Sequence, residues 1–256
     1  MTRHAFHIRL VTFLVSLTVA LFADGFGASF VSPVSARGSE KEGHLRCVEH
    51  GPRNAPAVAL TFDACRINEK TTLDRDILRA LVEQHVPATV FVTGRWMEAH
   101  PGETRELAAN TLIELGTHSQ THPDMRKLED NRLGKEVLEA DGLLRSLTGR
   151  RSRLFRFPYG YSDDRTIRAV TSLGFCPIGW DVVSGDPDPG VSASTMAAHV
   201  IRSTRPGSII IMHINGRGKN TAKALPAIIE GLRNKGYFFV SVSDLLARGS
   251  VDEWRE

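Results

Sequence analysis

The strongest constraint in this sequence is an alternation. Short apolar runs of strand length, each closed by a polar residue, are separated by segments whose apolar residues recur at helical spacing. Ala57 to Phe62 reads Ala-Val-Ala-Leu-Thr-Phe between Pro56 and Asp63, too brief for a helix and bounded like a buried strand. Leu73, Ile77, Leu78 and Leu81 then follow a helical period to about His85. Ala88 to Val92 is a second strand, entered through Pro87, where a proline costs no ladder bond. Further strands are expected at Leu112 to Leu115, Leu154 to Phe157, Cys176 to Trp180, Ser208 to His213 and Phe238 to Val240. Leu133, Val137, Leu144 and Leu147 mark one face of a long helix, and Ser194 to Ser203 and Ala222 to Lys235 are two more. Such alternation predicts parallel pairing, either as a barrel or as a doubly wound sheet. No internal repeat, low-complexity tract or Gly/Ser-rich linker interrupts it, so a single domain over residues 56–248 is expected, with 37–55 as a lead-in.

Three cysteines cannot staple 256 residues, so the fold must rest on an apolar core, which this length and 41% hydrophobic residues can supply. Thirty-two Lys and Arg against 29 Asp and Glu leave a charge of +3, spread along the chain, which gives no electrostatic case for a nucleic-acid partner. The first residues form an address. Arg3 and Arg9 precede an apolar run from Leu10 to Ala23, closed by Asp24. A spanning helix needs about 20 apolar residues and a secretory segment roughly 7 to 15, so a signal peptide is expected. Val34 and Ala36 flank Ser35 in the small-x-small pattern of a cleavage site, placing the cut after Ala36, with Ala23 as a second candidate. The mature chain is then secreted or periplasmic, without a transmembrane segment. Its oligomeric state is not readable from the sequence.

In parallel α/β folds the loops at the carboxyl ends of the strands converge on one rim, and functional groups gather there. Asp63 follows the first strand, and His118 and His122 follow the Leu112 strand. Arg156 and Tyr159 close the Leu154 strand, Asp181 and Asp186 follow Trp180, and His213 closes the Ser208 strand. Two imidazoles four residues apart can share a divalent ion. An aspartate beside them can take a proton from water whose pKa the ion has lowered. His213 can protonate a leaving amine, with a carboxylate such as Asp186 on its other ring nitrogen. Arg156 can orient Asp63 and keep it ionised. Each residue also has a plain structural reading: solvated histidines, a helix cap, a core histidine, a structural ion pair.

Taken in order, Thr61-Phe62-Asp63, His118-Ser119-Gln120-Thr121-His122-Pro123, Arg156-Phe157-Pro158-Tyr159-Gly160, Trp180-Asp181 through Asp186, and Ile211-Met212-His213 resemble the polysaccharide deacetylases, the NodB-homology domain of carbohydrate esterase family 4. The likeness spans about residues 57 to 245. It implies a distorted (β/α) barrel and metal-dependent hydrolysis of N-acetyl groups on N-acetylglucosamine units of a glycan such as chitooligosaccharide or peptidoglycan. By position Asp63 is similar to the family's base, His118 and His122 to its metal-binding histidines, and His213 to its acid. Asp186 matches the carboxylate that tunes the acid, Arg156 the arginine paired with the base, and Tyr159 the donor of an oxyanion-stabilising backbone N–H. The implied cofactor is a divalent metal, Zn²⁺ first, with Co²⁺, Mn²⁺ or Ni²⁺ as alternatives.

Three positions depart from the family pattern. Ala64 stands where a second aspartate commonly ligates the metal, Pro187 where many members have Trp, and Asn215-Gly216-Arg217-Gly218 where an Asp often follows the acid histidine. Cys65 has two readings, a thiolate ligand or a disulfide partner of Cys47, and the disulfide is expected. Cys176, within an apolar strand, is expected to be a buried free thiol. Trp96, Tyr159, Tyr161 and Trp180 are candidates for stacking on sugar faces. Two other functions fit the same residues: a glycan-binding protein whose chemistry was lost with the ligand at position 64, and an amidase acting on a non-sugar amide.

Overall fold

The computed structural model describes residues 45–65 and 72–249. The expected signal peptide and the first part of the lead-in lie outside the described residues.

The chain forms β1 (Ala57–Ala64), α1 (Arg75–Glu83), β2 (Ala88–Val92), α2 (Gly94–Ala99), α3 (Pro101–Ala109), β3 (Ile113–Thr117) and α4 (Asp130–Thr148). It continues with β4 (Leu154–Phe155), α5 (Asp164–Ser172), β5 (Cys176–Pro177), β6 (Val182–Val183) and α6 (Ala193–Ser203). β7 (Ile209–His213), α7 (Thr221–Asn234), β8 (Phe238–Phe239) and α8 (Val242–Leu246) complete it. All the ladders between these strands are parallel, in the order β5-β4-β3-β2-β1-β7-β6, with β8 on the first two residues of β1. This is a single-domain α/β fold, a distorted parallel barrel, and it is open. Among the described residues β5 and β6 share no ladder, and the lead-in runs along the seam, with Val48 bridged to Ile178 and His50 to Ser208.

Side chains along β1 alternate between two layers, as a strand requires. Val58, Leu60, Phe62 and Ala64 pack into the cluster shared with the helices, alongside Ile77, Leu81, Leu225, Ile228 and Ile229. Ala57 and Ala59 join the other cluster, with Phe91, Ile178 and Ile209. Thr61 and Asp63 share the parity of this second set. The helices start where the sequence offers caps: Asp74 accepts from the N–H groups of Asp76 and Ile77 at α1, and Asp163 with Thr166 forms a reciprocal capping box at α5. Gly149, at φ 68°, ends α4 in the left-handed conformation that costs a glycine least.

Several expected elements shift. β1 runs two residues longer than its apolar run, so Asp63 lies within the strand. The Leu154 and Cys176 strands contain only two residues each, because a 3₁₀ turn begins at Pro158 and the chain leaves the sheet after Pro177. The helices α2, α3, α5 and α8 and the two-residue β6 were not anticipated.

Candidate active site

Asp63 is the centre of a buried charge network at the carboxyl end of β1. Arg156, fully buried just after β4, donates Nη1–H to Asp63 Oδ1 at 2.9 Å and Nη2–H to the Gly179 carbonyl at 3.2 Å. Its guanidinium lies over the Phe91 ring, 4.0 Å from the centroid, so the flat faces of the cation are covered by an aromatic where water cannot reach. Burial opposes ionisation of Asp63, but the positive charge facing it, Arg156 first, outweighs it and holds the carboxyl below its usual range. The pair is a charge-assisted hydrogen bond that keeps the carboxylate ionised in a dry site.

His118 follows β3 directly. Its Nδ1 lies 2.8 Å from the Arg156 carbonyl, which can only accept, so Nδ1 carries the proton and Nε2 presents a lone pair. That Nε2 is 3.5 Å from Asp63 Oδ2. His122 stands edge-on to His118, with ring centroids 4.8 Å apart. The loop between them is strained, with Ser119 at φ 65° and His122 at φ 62°. Two contacts hold it: the His122 N–H donates to Ser119 Oγ, and Thr121 donates both its N–H and its hydroxyl to the Glu136 carboxylate of α4. Burial keeps His118 below the usual imidazole range despite Asp63. Burial and then the neighbouring His118 push His122 down to about 3. Both rings are therefore neutral near pH 7, the state that can bind a metal ion.

The opposite wall is built by the loops after β6 and β7. His213 Nδ1 lies 2.9 Å from Asp186 Oδ1, and the His213 backbone N–H donates to Asp186 Oδ2 at 2.6 Å. The Thr221 hydroxyl donates to the same oxygen at 2.8 Å. Gly218 is required beside them, since a Cβ there would collide with the Asp186 carboxylate and the Thr221 hydroxyl. With Nδ1 engaged, Nε2 is the nitrogen His213 offers to the cavity.

Asp63, Cys65, His118, His122, Tyr159, Trp180, Asp186 and His213 all line one cavity of about 180 Å³, with Pro187 and Arg217 at its side. Tyr159 is half-exposed and stands edge-on to His122, 4.5 Å between centroids, on a backbone turned left-handed at Tyr159 (φ 62°) and Gly160 (φ 71°). A neighbouring cavity of about 450 Å³ shares only Trp180 with it and contains none of the predicted catalytic or metal-binding residues. Cys65 Sγ and the ligand atoms of His118 and His122 all lie within 4.8 Å of one another. Burial and then Asp63 push the Cys65 thiol up to about 11.

A family model described as polysaccharide deacetylase matches residues 50–178. The chain belongs to the polysaccharide deacetylase family. A chitooligosaccharide deacetylase from Sinorhizobium fredii is 31% identical, with 78% of this chain and 96% of that one covered. A peptidoglycan-N-acetylglucosamine deacetylase from Bacillus cereus is 30% identical over 76% of this chain and 70% of that one. The solved structure of a peptidoglycan N-acetylglucosamine deacetylase superposes with a TM-score of 0.72 at 29% identity, covering 78% of this chain and 92% of that one. A CE4 family pseudoenzyme from Bacillus anthracis superposes with a TM-score of 0.71 at 26% identity, covering 78% and 69%.

In this family member every predicted site residue reaches one place: six line the cavity and Arg156 lies beneath Asp63. Two expectations fail. Cys47 and Cys65 form no disulfide: Cys47 faces Ser162, 3.6 Å from its hydroxyl, in the neighbouring cavity, while Cys65 faces the histidines. Trp96 is fully buried in the helix-facing layer and cannot meet a sugar, unlike the half-exposed Tyr159 and Tyr161. Cys176 is free as expected but only partly buried. The sequence reading missed Glu136 and Thr221. Glu136 left a signal, since a carboxylate between Leu133 and Val137 lies within the apolar stripe of α4.

Proposed function

We propose that the chain removes the acetyl group from N-acetylglucosamine units of a glycan of chitooligosaccharide or peptidoglycan type, with a divalent cation, zinc first, held by His118 and His122. The observation that carries this reading is the convergence of a buried base with its arginine, two neutral imidazoles and a carboxylate-held histidine on one cavity. Carbohydrate N-deacetylation is the chemistry of the family. The donor set suits the ion, since His118 Nε2 is aimed at the Asp63 side of the cavity by the hydrogen bond at Nδ1. When bound, such an ion polarises an acyl oxygen and acidifies a water molecule.

The chain's own residues supply the rest. Asp63 takes a proton from the attacking water while Arg156 keeps it oriented and ionised. The Tyr159 N–H, carried on the left-handed turn, donates to the oxyanion as the acyl carbon becomes tetrahedral. His213 delivers a proton from Nε2 to the departing nitrogen, its ring fixed by Asp186 at Nδ1. One water is consumed, the C–N bond breaks, and acetate and a free sugar amine leave. The work is done outside the cytoplasm, after removal of residues 1–36.

A second reading, a glycan-binding protein with weakened chemistry, is favoured by Ala64 and by likeness to a pseudoenzyme. Acetate release from N-acetylated chitooligosaccharides, with and without a chelator, separates the two. The proposal expects release that stops on chelation and returns with zinc. Sugar binding with no release at any metal concentration would establish the second reading instead.

A further inference from the structure

We propose that Cys65 is the third protein donor of the metal centre, so that a cysteine and two histidines do in this chain what a carboxylate and two histidines do elsewhere in the family. The proposal rests on the metal-dependent reading above and adds the identity of the missing ligand.

The replacement falls at position 65, the residue just past the end of β1. Successive side chains along β1 point to opposite faces. Ala64 packs with Phe62 in the layer shared with the helices, and Asp63 lines the cavity. Cys65, the first residue past β1, also lines the cavity, buried and free. Its sulfur lies within 4.8 Å of ligand atoms of both His118 and His122, close enough for side-chain rotation to gather all three around one ion.

A second departure from the family pattern supports the first. The fully buried Asn215 donates its side-chain amide to the Cys65 carbonyl. Asn215 therefore fixes the backbone that carries the thiol.

A thiolate is a soft ligand, so the site favours zinc and cobalt over manganese and magnesium. Cobalt(II) serves as the probe because thiolate coordination adds a near-ultraviolet charge-transfer band to its absorption. Titrating the full chain with Co²⁺ is expected to give that band, saturating at one ion per chain and bleached by Zn²⁺. Cys65→Ser is expected to lose the band while still binding cobalt through the histidines. Cobalt binding in the parent with no such band, or a band unchanged in Cys65→Ser, would overturn the role of Cys65 and leave the histidine site standing. A double variant, His118→Ala with His122→Ala, that still bound as much cobalt as the parent would instead overturn the metal-dependent reading itself. The parent spectrum needs no variant, so the proposal stays exposed even if Cys65→Ser fails to fold.

Discussion

The two walls of the cavity are built on different physics. On the β1, β3 and β4 side, a guanidinium with no exposed surface meets a carboxylate with almost none, roofed by Phe91 and joined to His118 through both a ring contact and a backbone carbonyl. On the β6 and β7 side, His213 is partly open, and Asp186 is held by the His213 N–H, the His213 ring and a hydroxyl. The first wall couples chemistry to folding, because separating its charges leaves one of them buried alone. The second can lose the His213 ring at less cost to the fold, because Asp186 keeps the His213 N–H and the Thr221 hydroxyl.

The comparison breaks most directly at Arg156. Removing one partner of a buried pair costs about 3–5 kcal/mol, so Arg156→Met should unfold at markedly lower urea while losing activity. The lowered carboxyl of Asp63 contributes stability above the ordinary carboxylate range, lost as pH falls through its folded value. Without Arg156 that contribution disappears and the acid limb of kcat/KM moves to higher pH. An unchanged limb would show that the arginine does not set the charge of the base.

His213→Gln is the counterpart on the other wall. Loss of a positioned acid should lower kcat by about 10²–10⁴-fold, with melting temperature and metal content near those of the parent. A variant that melted as early as Arg156→Met would erase the distinction between the walls.

Ala64→Asp sharpens the comparison within β1. The side chain at 64 is fully buried in an apolar layer, so an added carboxylate should cost more than the roughly 1–3 kcal/mol of a buried neutral polar group and leave zinc affinity unimproved. Tighter zinc binding at unchanged stability would contradict the facing assigned to position 64.

Glu136→Gln should have the smallest effect on the fold. It loosens the Thr121 contacts that hold the strained histidine loop, and zinc affinity should fall about 10–100-fold by equilibrium dialysis, as for other residues that orient metal ligands. Equal affinity would show that the loop holds its shape without α4.

The main strands and the rim were legible because both follow from local pattern. A run bounded by Pro56 and Asp63 can hardly be anything but a strand, and a polar residue at the end of a parallel strand lies at the rim. Two-residue strands such as β6 leave no period to read, and α2 and α3 were hidden by the break at His100-Pro101, where one helix ends and another begins. Cys65 was misjudged because spacing along the chain says nothing of which face a side chain takes. Only the folded chain puts the thiol beside the histidines and leaves Cys47 in another cavity.

The central claim is that His118 and His122 hold a cation beside Asp63. Elemental analysis of the purified protein against His118→Ala, each dialysed at the same free zinc, tests it most directly. About one zinc per chain in the parent and nearly none in the variant is the predicted result. Equal metal in the two proteins would contradict it.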